Sequence, residues 1–208
     1  MNLNRATLFS IIAISYIFIS RTMATFSPGL FSNLVVAQVN AVLSFVASLA
    51  VVAFYFLFYR DYVHERQDAL KRASYYAVCG AAGVALLMLI SMFDLFGTNI
   101  FDSASLRTGI PWLSSIFFLY FFVKFYNEKR DNFASGLKQA VFLAIIGTAI
   151  STGIHSYIFT SVLYFGKITS LWHFSGEFPV FFIPVSIFIF FTNFYFLLIF
   201  QNELNSRN

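Results

Sequence analysis

The chain has 208 residues, 59% of them hydrophobic and only 11% charged. Soluble domains carry about 25% charged residues, and a soluble fold of this size has no core able to enclose 30 Phe and 11 Tyr. The net charge of +4 does not mark a nucleic-acid surface, because the basic residues gather in two short segments between apolar blocks, where membrane topology accounts for them.

Those apolar blocks are about 20 residues long, the helix length that crosses roughly 30 Å of hydrocarbon. A β-barrel would show alternating segments of about ten residues instead. The predicted class is therefore all-α: a polytopic membrane helix bundle with six transmembrane helices, forming one integral membrane domain over residues 1–208. The spans are predicted at 3–20, 34–59, 73–97, 109–126, 137–165 and 178–200.

The first segment is short and follows Arg5, so it has some character of a secretory signal peptide. Arg21 follows it directly and no small-x-small cleavage site precedes it, which favours a retained helix. The second segment opens near Gln38 and Asn40, amides of the kind that bridge helices in membranes. It leads into "YRDYVHERQDALKR", whose mixed charges at near-helical spacing predict a solvated helical connector. Asp61 and Glu65 are expected to meet basic neighbours three or four residues on, and His64 to be solvated.

The third segment carries Ala73, Ala77 and Ala81 beside Gly80 and Gly83, with Asp94 near its outer end. Its Cys79 is the only cysteine. An intrachain disulfide is excluded, and a buried packing role is expected. The fourth segment carries Trp112. The fifth carries Gly136, Ala140, Ala144 and Thr148 beside Gly147 and Ser151, and then His155. Small residues four apart let helix backbones approach in lipid, so the third and fifth helices are predicted to be central. The sixth is dense in Phe and expected to face lipid or a partner. Its Pro184 removes a backbone donor and predicts a kink, and Asn193 lies deep within it.

Orientation follows from Lys and Arg. Arg5, Arg60, Arg66, Lys71, Arg72, Lys124, Lys129, Arg130, Lys138 and Arg207 share one side, and Arg21, Arg107 and Lys167 the other. The positive-inside rule places both termini in the cytoplasm, with the cell (inner) membrane as the expected location. Tyr55, Tyr59, Tyr62, Tyr75, Tyr76, Tyr120 and Tyr126 crowd the inner boundary. Trp112 and Trp172 fall at the outer one as interface anchors.

An internal echo runs at an offset of 67. Phe54, Phe58, Tyr59, Leu70, Lys71, Ala73, Ala77, Gly80 and Ala82 recur as Phe121, Phe125, Tyr126, Leu137, Lys138, Ala140, Ala144, Gly147 and Ala149. Parallel repeats of this type occur in transporters.

Ionisable groups inside a span are functional candidates by default. His155, His173, Glu177 and Asp94 all fall on the outer half, with Asp102 nearby and Asn193 on the last helix. His173 and Glu177 lie in "TSLWHFSGEFP", between the last two spans. Imidazoles with carboxylates suit a divalent transition metal, or a proton relay. The bland alternative is histidines hydrogen-bonded at helix interfaces. No metalloprotease helix motif, phosphate loop or nucleophile elbow is present, and no resident cofactor is predicted.

Three functions are consistent with these features. The favoured one is a non-catalytic subunit or scaffold that binds lipids, other membrane proteins or a second copy through aromatic-rich helices, with no nucleic-acid partner. The second is a small transporter or channel with a polar path near His155 and Asn193. The third is a metal-dependent membrane enzyme using the outer-face His and carboxylate groups.

Overall fold

In a computed structural model of the chain, residues 1–27, 29, 32–63, 68–97, 104–129, 135–165 and 178–206 are described. They form six long helices: α1 Leu3–Phe26, α2 Leu34–Leu57, α3 Asp68–Leu95, α4 Ala104–Lys129, α5 Ser135–Phe165 and α6 Phe178–Ser206. Each is long and apolar enough to cross a membrane. There is no strand among the described residues.

Local chemistry sets several helix ends. Asn2 caps α1 by accepting from the Arg5 N–H, and Asn33 caps α2 by accepting from Val35 and Val36. Such side chains satisfy N–H groups that the first helical turn leaves without partners. Glu128 at the end of α4 does the same for α3, accepting from the Leu70 N–H at 3.0 Å. Beyond α3 the chain turns at Gly97, whose φ of 87° falls in the region that glycine enters without steric cost. A π-helical turn, Phe58–Tyr62, extends α2. There Asp61 pairs with its neighbour Arg60. Glu65 and His64 lie outside the described residues.

The helices pack in chain order, each on its neighbours, and α1 closes the ring against α6. At the closure Asn4 donates to Asn205 at 2.8 Å, and Gln201 donates to Asn4. Both termini therefore share one end of the bundle, here the terminal end; the opposite end is the far end.

The ring corrects one expectation. α3 and α5 share no packed seam, so the small-residue helices are not a central pair. Each presses its glycine against the next helix in the chain. Gly80 of α3 meets the Ser114 backbone of α4, and Gly147 of α5 meets Thr192 of α6. Close approach at these points is what the small residues provide. The facing hydroxyls are internally satisfied: Thr148 donates to Ala144 and Thr192 to Ile189, each within its own helix.

The centre is filled by phenylalanine. Phe54 and Phe58 of α2, Phe121, Phe122 and Phe125 of α4, and Phe196 and Phe200 of α6 are all but fully buried in one cluster. Phe58 lies 5.1 Å from Phe121, 5.3 Å from Phe125 and 5.5 Å from Phe200, ring centre to ring centre. The first two are edge-on, the arrangement aromatic quadrupoles favour. α6 is thus only partly a lipid-facing helix. Phe188 and Phe191 are exposed, but Phe196 and Phe200 are core. Tyr55, expected at the boundary, is buried here too, stacked on Phe118 at 5.1 Å.

All nine pairs of the 67-residue echo share a burial state. The Phe, Leu and Gly pairs, with Ala73/Ala140 and Ala77/Ala144, are buried; Tyr59/Tyr126 and Lys71/Lys138 are half-buried; and Ala82/Ala149 are exposed. The α2–α3 and α4–α5 pairs thus present equivalent faces to the ring.

Candidate functional site

The far half is built differently. On α1, the Tyr16 and Ser20 hydroxyls both donate to the Asn40 side-chain oxygen of α2, at 2.8 and 2.6 Å. On α2, Gln38 donates to the Leu95 carbonyl at the end of α3, at 3.1 Å. These bonds pin three successive helices around a cleft of about 350 Å³. Its polar wall is Ser20, Arg21, Asn40, Ser44 and Ser91, and its apolar wall includes Ile17, Met88 and Leu95.

Arg21 is the residue that sequence reasoning passed over. Ending the first span at Ser20 left Arg21 as a loop charge, useful only for orientation. α1 instead runs to Phe26, which leaves Arg21 five residues, about 7.5 Å of helical rise, inside the helix end. The signal was present as a guanidinium within an otherwise apolar run. It was hidden because a charge is a natural place to stop a span.

Asp94 stands beside Ser91 and Leu95 on α3, and its Oδ2 accepts from Arg107 Nη2 of α4 at 2.5 Å. This ion pair ties α3 to α4. The other carboxylate oxygen, Oδ1, is buried without a hydrogen-bond partner.

His155 is half-buried on α5. Its Nδ1 donates to the Ser151 carbonyl at 2.8 Å. A carbonyl only accepts, so Nδ1 carries a proton. Asn193 is bound within its own helix, donating to the Ile189 carbonyl at 2.8 Å. Trp112 bridges α4 and α5: its indole N–H donates to Ser156 at 2.9 Å, and its ring stacks on Phe159 at 4.7 Å.

Trp172, His173, Glu177 and Asp102 lie outside the described residues. Among the described residues, no three His, Cys, Asp or Glu side chains gather as a metal site. A second groove, lined by Tyr59, Lys71, Arg72, Tyr75 and Tyr76 at the terminal end, has the Tyr and cation composition common where helices leave a membrane.

Among the described residues, the far half presents a guanidinium in a polar recess, the Asp94–Arg107 ion pair and a half-buried imidazole. No family model, no curated protein and no solved structure matches this sequence.

Proposed function

We propose that this multi-pass membrane protein is a non-catalytic subunit or scaffold of a membrane complex, binding protein or lipid through its helix surfaces. We place it in the cell membrane with both termini in the cytoplasm. One observation carries the reading: the described polar candidates are bonded within the bundle, two of them across neighbouring helices and two within their own helix. Asp94 is spent on Arg107, Trp112 on Ser156, and His155 and Asn193 on carbonyls of their own helices. Amides and hydroxyls used this way stabilise membrane bundles without acting on a substrate. The orientation rests on the ten basic residues of the terminal side against three on the other.

Purification in a mild detergent with mass determination tests the assignment. A stoichiometric assembly, with itself or with another membrane protein, is expected. A lone monomer that turns over a substrate would sink the reading. Orientation is tested separately by labelling an Asn205→Cys variant in a Cys79→Ser background. Labelling in intact cells by a membrane-impermeant maleimide would reverse the assigned topology.

A second reading, a small carrier, is favoured by a specific arrangement: an open polar cleft in the far half over an aromatic seal in the terminal half. Carriers closed on one side have this form. Solute flux in proteoliposomes that is lost on His155→Ala would select it.

A further inference from the structure

The cleft around Arg21 has chemistry that neither reading uses. Across the described far half, ionised side chains comprise two guanidiniums, Arg21 and Arg107, and one carboxylate, Asp94. The carboxylate is already paired with Arg107. The Arg21 guanidinium has no hydrogen-bond or ion-pair partner among the described residues. A cation inside an apolar span is costly unless it is paired or reaches water.

An arginine near a helix end often lies along its own helix and reaches the interface. Arg21 instead lines a recess shared with α2 and α3 while remaining accessible. The recess supplies neutral donors as well. The Asn40 oxygen is taken by Tyr16 and Ser20, which leaves its NH₂ as the donor side, and Ser44 adds a hydroxyl, whereas the Ser91 hydroxyl already donates to the Leu87 carbonyl. A planar guanidinium with flanking N–H and O–H donors is the arrangement that binds a carboxylate or phosphate by two parallel bonds. The remaining wall, with Ile17, Met88 and Leu95, suits an apolar body attached to that group.

We infer that the far-half cleft binds an anionic amphiphile, with Arg21 holding its oxyanion and the α1–α2–α3 recess taking the start of its apolar chain. The inference rests on the chain being membrane-embedded and holds whether or not a second subunit exists. Two sources share this chemistry: an anionic bilayer phospholipid and a free fatty acid.

Native mass spectrometry of the intact protein in nonionic detergent tests it, with phosphatidylglycerol, phosphatidylcholine or oleate added in turn. The parent chain should retain phosphatidylglycerol or oleate in preference to phosphatidylcholine. Retention of phosphatidylglycerol alone assigns the bilayer as source, retention of oleate alone the free acid, and either supports the site. Arg21→Gln should weaken the retained ligand by roughly tenfold or more, the loss typical of removing a charge-assisted pair. Arg5→Gln, at the terminal end, should leave it unchanged. Ala41→Leu narrows the same cleft without altering charge and should also lose binding, so the test survives if Arg21→Gln does not fold. Binding by Arg21→Gln or Ala41→Leu within twofold of the parent would overturn the inference. So would equal retention of phosphatidylcholine and the anionic ligands.

Discussion

The two ends of the bundle solve the same problem with different materials. At the terminal end, three helices send seven phenylalanines into the centre of the ring, and small residues on α3 and α5 let the walls close around them. At the far end, the described helices are joined mainly by side-chain hydrogen bonds and one ion pair, and a cleft lies among α1, α2 and α3. Lipid is as apolar as phenylalanine, so the terminal half is not held by exclusion of water from its rings. It is held by dense van der Waals contact, which depends on shape. The far half depends on a few directional bonds. The first region is suited to be rigid and the second to bind.

That contrast can be broken by substitution. The largest effect is expected from Phe58→Ala, which empties the middle of the aromatic cluster. A loss of about 3 kcal/mol or more is expected, read as a lowered midpoint of unfolding in mixed detergent micelles. Gly147→Ala comes next. A methyl group there falls onto the Thr192 hydroxyl, and overpacking of this kind costs about 1–3 kcal/mol. Thr192→Ala in the same chain should recover part of the loss, because the obstructing atom is removed. Glu128→Ala should cost about 1 kcal/mol, the usual value of a helix cap, and should speed hydrogen exchange at the start of α3 before the rest of the bundle. His155→Ala should cost least, about 0.6 kcal/mol or less, the average for a side-chain hydrogen bond in a membrane protein. If His155→Ala destabilises as much as Phe58→Ala, the division into a rigid half and a binding half is wrong.

Much of the fold was legible without coordinates. The six spans came from block length, and the buried small residues of α3 and α5 from their four-residue spacing. The offset repeat was legible as identities, and its nine pairs prove to share burial states. The partners of the small residues were not legible. Ala and Gly at four-residue spacing say that something comes close, and they do so equally for Ser114, for Thr192 or for each other. Phenylalanine was also ambiguous, because a Phe facing lipid and a Phe facing a core read alike in a chain where both surroundings are apolar. The candidate site was legible in part. Asp94 and His155 stood out as candidates because ionisable groups are rare within spans, but neither lines the cleft. Arg107, the partner of Asp94, lay outside the predicted fourth segment, and Arg21 lay outside the predicted first.

By itself the sequence determined the helical class and the six segments apolar enough to cross a membrane, because each depends on composition summed along a segment. The tertiary structure alone decided that the helices form a ring, that its centre at the terminal end is aromatic, and that Arg21 lines a cleft among α1, α2 and α3. Those outcomes depend on which face of each helix meets which neighbour. In a membrane that choice is made by packing and a few hydrogen bonds between distant residues, and hydropathy along the chain does not record it.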